Sequence, residues 1–176
     1  MHAANARVFE TSEADADEVA ALAVRTYVDA FGADFRPDDL AEHLSARLSP
    51  DRWREFIARD HVLAARIGDE LAGYIQFGPA GQPGGVEVFR LYVARPLQRR
   101  GLGSRLLTTA LDHPDSIAAS AIWIGVWEDN FGAQRLYQRF GFEPSGQVRA
   151  FALPSGGTPG HDILMVRRTT LTTRED

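Results

Sequence analysis

The segment Gln98-Arg99-Arg100-Gly101-Leu102-Gly103-Ser104 constrains this chain more than any other. Ahead of it, Val86 to Val93 reads as a strand that Pro96 ends. Behind it, Leu102 to Asp112 reads as a helix with Leu102, Leu106, Leu107, Ala110 and Leu111 on one face. Two glycines at a strand-to-helix turn let the backbone come close to a ligand and leave several N–H groups pointing one way. The helix N-terminus supplies roughly half a positive charge, so such a turn suits a pyrophosphate. Arg99 and Arg100 add charge and forked donors.

Two familiar phosphate-binding patterns do not fit. A dinucleotide-binding G-x-G-x-x-G needs a third glycine where Leu106 stands, and a nucleotide-hydrolase loop needs a lysine. The chain has no lysine, since all 19 basic residues are arginine, and it has no cysteine. Those absences exclude Schiff-base catalysis, a thiol nucleophile, a disulfide framework and thiolate metal sites. Carboxylates, arginines, histidines, hydroxyls and backbone are left to do the chemistry. The pattern that remains at the turn is Q/R-x-x-G-x-G/A.

The length of 176 residues predicts a single domain. No apolar run approaches the ~18 residues of a spanning helix. Met1 to Glu10 lacks a hydrophobic stretch after a basic start. A cytoplasmic protein without membrane contact is therefore expected.

Charge is unevenly spread. Residues 1–60 hold seven arginines against thirteen acids, whereas Val86 to Ala110 holds five arginines against Glu87 alone. Either the helical N-terminal part wears a solvated acidic face, or the chain has a basic pole for an anion and an acidic pole for a cation. Neither the net charge of −5 nor any interleaving of aromatic and basic residues supports nucleic acid.

Along the chain, Arg7 to Glu10 reads as a strand. Helices follow over Asp15 to Phe31, from Pro37 through Leu40, Leu44 and Leu48, and over Asp51 to Arg59. His61 to Ile67 and Leu71 to Phe77 form a hairpin around Gly68-Asp69-Glu70, with a Gly/Pro-rich loop from Gly78 to Gly85. Ala121 to Trp127 is a strand, and Phe131 to Phe140 a helix closed by Gly141. Two strands follow, from Phe142 to Leu153 and from Asp162 to Arg168, and Thr169 to Asp176 is a tail. Hairpin and crossover connections together predict a mixed sheet flanked by helices. No two of the five histidines have ligand spacing, so no metal site is expected. Trp123 and Trp127 alternate with Ile122 and Ile124, as strand packing requires, and Trp127 has a second reading as a wall of a substrate cleft.

The run from Leu91-Tyr92-Val93 through Gln98-Arg99-Arg100-Gly101-Leu102-Gly103-Ser104 to Leu107 resembles the central strand, loop and helix of the GNAT superfamily of N-acetyltransferases. Trp127-Glu128-Asp129-Asn130, then Leu136-Tyr137 and Gly141-Phe142, resembles its second signature, in the right order. Ala30-Phe31-Gly32, Pro37-Asp38-Asp39-Leu40, Gly73-Tyr74 and Asp162-Ile163-Leu164-Met165 look like the bacterial branch that includes polyamine acetyltransferases.

The resemblance implies the acyl-CoA N-acyltransferase fold: one α/β domain over residues 1–170 with a mixed, mostly antiparallel sheet. Residues 1–60 would be its acceptor side and 61–168 its sheet and acetyl-CoA core. It implies acetyl transfer from acetyl-CoA directly to a primary amine, with a polyamine or other small cation favoured by the acids. A non-catalytic acetyl-CoA sensor and a protein N-terminal acetyltransferase are the alternatives, and a homodimer is common in such folds.

By the same resemblance Tyr137 is the acid that protonates the departing thiolate, unless its place on the stripe with Ala133 and Phe140 makes it only core. Glu87 is the candidate base. It stands four residues before Leu91, and a period of two would put both on one face of the strand. The alternatives are an exposed carboxylate beside Arg90, or deprotonation through water. Leu91, Tyr92 and Val93 would meet the cofactor through backbone groups, Gln98 to Ser104 would hold its phosphates, and Asn130 would contact it, cap the last helix, or both.

Overall fold

Prolines and short polar side chains start the helices where the sequence places them. The computed structural model describes residues 6–151 and 160–169. The Asp15 carboxylate accepts from the Ser12 N–H and hydroxyl at 2.8 and 2.9 Å, fixing the turn that enters α1 (Ala16–Phe31). Pro37 opens α2 (Pro37–Leu48) and Pro50 opens α3 (Pro50–Arg59), where a missing N–H costs nothing. The Ser49 hydroxyl accepts from the Arg52 N–H at 3.4 Å. Gly101 caps α4 (Leu102–Leu111), and Asn130 caps α6 (Phe131–Arg139) by accepting from the Ala133 N–H at 3.1 Å. Gly141, at φ +81°, closes α6 as expected, with the Phe142 N–H donating back to the Tyr137 carbonyl at 3.1 Å. One helix was not anticipated: α5 (Pro114–Ala118), a single turn too short to show a period.

The strands are β1 (Arg7–Glu10), β2 (His61–Ile67), β3 (Glu70–Pro79), β4 (Gly85–Val93), β5 (Ala121–Trp127), β6 (Glu143–Phe151) and β7 (Gly160–Arg168). They form one seven-stranded sheet in the order β1-β2-β3-β4-β5-β7-β6. Every neighbouring pair is antiparallel except β4 and β5. The expected mixed, mostly antiparallel α/β sheet is therefore present. Of the expected C-terminal tail, Thr170 to Asp176 lies outside the described residues, as does the end of the predicted strand from Phe142 to Leu153.

Two apolar layers cover the sheet. On one face Leu102, Leu106, Leu107 and Ala110 of α4 and Tyr137 of α6 pack with Val86, Val88, Ile122, Ile124, Val126 and Met165. On the other, Val19, Leu22 and Ala23 of α1 and Trp53 and Phe56 of α3 pack with Val62, Ala64 and Tyr74. Each fully buried leucine among them, such as Leu106 or Leu22, contributes about 1.5–3 kcal/mol through burial. No helix among the described residues is long and apolar enough to cross a membrane.

Candidate active site

The pairing of β4 changes along its length. Against β3 it is paired from Val86 to Val93, but against β5 only Gly85 to Val88 are in register, opposite Ala121 to Ile124. Beyond Val88 the two parallel strands part. The second half of β4 thus presents a strand edge in the middle of the sheet.

The same strand carries a bulge. Gln76 pairs with Arg90 and Phe77 with Val88, so Phe89 is an extra residue with no partner on β3. Its consequence is a change of face. Val88 and Leu91, three residues apart, pack on the same apolar layer as Val86 and Val93. Glu87 is buried on the opposite face, together with Arg90 and with Tyr92, whose ring stacks on Tyr74 at 5.7 Å. The expectation that Glu87 and Leu91 share a face is therefore wrong, because the bulge breaks the period of two.

Leu91, Val93, Gln98, Arg99, Gly101, Gly103, Ser104, Asn130 and Tyr137 line one cleft of about 1220 Å³ between α4 and α6. Three of the expected residues are not part of that lining. The Tyr92 side chain faces the other layer, Leu102 is buried in the core, and Arg100 is exposed on the turn outside the cleft's lining. Only backbone groups of Tyr92 and Leu102 are available to this side. Arg135, Gln138 and Arg139 of α6 also line the cleft. Sequence reasoning passed over them, although Arg135 and Arg139 stand one helical turn apart on the helix that carries Tyr137.

The turn itself is built for backbone donation. Gly101 has φ +86°, and Arg99, at φ +60°, is the one described residue other than glycine with a positive φ. Arg105 is the first to close a helical bond, donating to the Gly101 carbonyl at 3.0 Å. The N–H groups of Gly101 to Ser104 have no carbonyl within the helix to satisfy them. The Gln98 amide donates to the Val93 carbonyl at 3.0 Å, tying the turn to the open end of β4. Gly73 on β3 lets α4 sit close: a Cβ there would lie 2.9 Å from the Tyr92 carbonyl and 3.1 Å from Leu106 Cδ1.

Tyr137 is buried yet borders the cleft. Burial pushes its phenol well above the usual value, so it keeps its proton across the neutral and alkaline range.

The opposite face holds a different chemistry. Arg149 of β6 donates from both terminal nitrogens to Glu87 Oε1, at 3.0 Å each. Asp162 of β7 leans over Gly125, its Oδ2 3.4 Å from where a Cβ would stand. Loss of water holds the Asp162 carboxyl above the usual carboxylate range; Arg149 opposes this and Glu87 adds to it. Trp127 stacks on Phe31 of α1 at 5.5 Å, and Tyr27 stacks on His43 at 4.8 Å. Asp162, Arg149, Tyr27 and Phe31 were not singled out from the sequence. Asp162 and Phe31 appear there only inside longer similarities, and nothing local marks the other two. Behind them, the Asp60 carboxylate accepts from the Gln76 amide at 2.6 Å, and the Gln76 carbonyl accepts from Arg90, whose guanidinium lies 4.6 Å over Phe56.

The sequence profile of the acetyltransferase (GNAT) family matches residues 24–142. A protein of Mycobacterium tuberculosis that carries the name of an uncharacterized N-acetyltransferase is 33% identical over 155 residues, 87% of this chain and 97% of that protein. A protein of Bacillus subtilis subsp. natto that carries the name of a spermine N(1)-acetyltransferase is 29% identical over 86 residues, 45% of this chain and 57% of its own. Among solved structures, the PaiA N-acetyltransferase of Thermoplasma acidophilum in complex with coenzyme A has a TM-score of 0.75 at 16% identity, covering 93% of this chain and 98% of that one. The chain belongs to the acetyltransferase (GNAT) family and is an N-acetyltransferase.

Proposed function

We propose that this enzyme transfers the acetyl group of acetyl-CoA directly to a primary amine of a small cationic molecule, with linear polyamines as the preferred class. One observation carries the reading. The half of β4 that β5 leaves unpaired borders the same cleft as the glycine turn and Tyr137, while Glu87 and Asp162 stand on the other face of the sheet.

The cleft side accounts for the donor substrate. Gly101 to Ser104 offer backbone N–H groups and a helix N-terminus to a pyrophosphate, with Arg99 beside them. The backbone of Leu91 and Val93 can pair with an amide-bearing arm as another strand would. Asn130, besides capping α6, borders the same space. A thioester seated there brings an activated acetyl carbon, and the enzyme's own groups do the rest. A new bond forms from amine nitrogen to carbonyl carbon as the carbon–sulfur bond breaks. Backbone N–H groups of β4 face the oxygen on which negative charge develops. Tyr137, held in its protonated form, gives its proton to the departing sulfur, and the second proton that the nitrogen sheds as it becomes an amide restores the phenol.

The acceptor side accounts for the amine. An ammonium must lose a proton before it can attack, and Glu87 is the carboxylate on β4 able to receive it, directly or through water. Asp162, and Glu87 through the oxygen that Arg149 leaves unbonded, give a cation anionic partners, with Trp127, Phe31 and Tyr27 as aromatic walls. The excess of acids in residues 1–60 and the name of the B. subtilis relative point the same way.

The test is thiol release from acetyl-CoA across diamines, longer polyamines, amino acids and neutral aromatic amines. Saturation by polyamines, weakened strongly by salt, is expected. Preference for a neutral or anionic amine overturns the acceptor class.

A further inference from the structure

At the end of the sheet away from the cleft, the fold assembles a cluster that the sequence scatters over a hundred residues. Glu10 ends β1, His61 begins β2 and His113 precedes α5, and one ligating atom from each lies within 4.8 Å of the others. His61 is the centre. Its Nδ1 is 2.9 Å from Glu10 Oε1, its Nε2 is 2.8 Å from Asp115 Oδ2, and its ring lies 4.0 Å from that of His113.

We infer that Glu10, His61 and His113 form a binding site for a divalent transition-metal ion of the zinc class. Two imidazoles and a carboxylate are a donor set that zinc accepts, in tetrahedral geometry with bonds of about 2.0–2.2 Å. Such bonds put neighbouring ligand atoms about 3.3–3.5 Å apart. Small side-chain movements therefore bring these three groups into place.

The surroundings fit as well. Glu10 and Asp115 each lie within hydrogen-bond distance of one ring nitrogen of His61; a metal ion at Nδ1 takes the place of that nitrogen's proton, and Asp115 then accepts from Nε2–H, as a carboxylate behind a ligating histidine orients the ring and raises its basicity. The Nδ1 of His113 accepts a long 3.3 Å bond from the Asp115 N–H, so binding through that nitrogen gives up one weak interaction. A cavity of about 270 Å³, lined by His61 and Asp115 with Phe77, Gly78 and Gly85, opens beside the cluster and leaves room for a water or small anion as fourth ligand.

The site stands apart from acetyl transfer. It lies where β4 begins at Gly85, whereas the cleft lies where β4 ends at Val93. An ion there joins the edge strand β1, β2 and α5 and acts on stability, not on chemistry.

The experiment uses the full chain after chelator treatment, titrated with zinc by calorimetry and with cobalt(II) by visible absorption. One equivalent binding at micromolar concentration or tighter, tetrahedral cobalt bands and a raised Tm are expected. Glu10→Gln, His61→Ala and His113→Ala each abolish the cobalt bands. Asp115→Asn weakens zinc about 10–100-fold, while His43→Ala and His161→Ala leave it unchanged. Circular dichroism confirms that each variant is folded, and if His61→Ala is not, Glu10→Gln and His113→Ala decide. Absence of binding at hundred-micromolar zinc, or stoichiometric binding that survives His113→Ala, overturns the inference. Turnover is expected to be the same with and without chelator.

Discussion

Glu87 and Leu91 stand four residues apart on β4 yet face opposite sides of the sheet, because Phe89 is unpaired between them. The bulge thus divides one strand between two faces: Leu91 and Val93 line the cleft, and the Glu87 carboxylate meets Arg149 on the face behind.

Glu87→Gln should therefore change amine kinetics without changing acetyl-CoA kinetics. A fall in kcat/KM for the amine of about 10²–10⁴-fold is expected if it is the base, with the KM for acetyl-CoA within about twofold. Steady-state kinetics with each substrate varied in turn checks this. An acidic limb of the pH profile left untouched removes Glu87 from proton transfer.

Tyr137→Phe should lower kcat by about 100-fold or more while acetyl-CoA still binds, as calorimetry would read. Because burial raises the phenol's pKa, the wild-type rate should not fall through loss of this proton at mildly alkaline pH. An unchanged kcat in the variant overturns the role.

Asp162→Asn should stabilise the fold at neutral pH. The folded state holds the Asp162 proton more tightly than the unfolded chain, so ionising this carboxyl costs stability as pH rises through the raised pKa. The gain in Tm from the substitution should shrink on acidification and vanish by pH about 3, where the carboxyl is protonated in both states. The same variant should raise the KM for polyamines.

Gly101→Ala and Gly103→Ala should differ in sign on stability. Gly101 has φ +86° with no atom within 4 Å of a built Cβ, so alanine meets only backbone strain, of about 1–2 kcal/mol. At Gly103, inside α4, a Cβ would meet nothing nearer than 3.8 Å, and alanine should add about 0.5–1 kcal/mol. Both should weaken acetyl-CoA, because both change the surface of the cleft. Chemical denaturation and calorimetry on the two variants decide.

Gly73→Ala should cost about 1–3 kcal/mol, since the new methyl group would press on the Tyr92 carbonyl, which is backbone and cannot turn aside. A normal Tm in this variant would mean that β4 shifts without cost.

The parts legible in the sequence were those written in local periods and caps. The apolar stripe of α4, Asn130 before α6, Gly141 after it and the hairpin around Gly68 each carry their instruction within one or two turns. The turn from Gln98 to Ser104 was legible for the same reason. The β4 bulge was not, because Phe89 looks like any strand residue and its lack of a partner is decided by the register against β3. Asp162 and Arg149 meet Glu87 only because β7 lies between β5 and β6, and His61 meets His113 only through the packing of α5. Such meetings depend on topology, which no local window contains.

The open half of β4 has a thermodynamic consequence. A sheet normally ends at its outermost strands, but this one has a gap at its centre, and on the proposed reading the donor seated along Leu91 to Val93 fills that gap with backbone hydrogen bonds. Whatever fills it raises the unfolding free energy by mass action, by about 2.7 kcal/mol at a concentration a hundred times its Kd. The lifetime of the folded enzyme is thereby tied to the supply of its own donor.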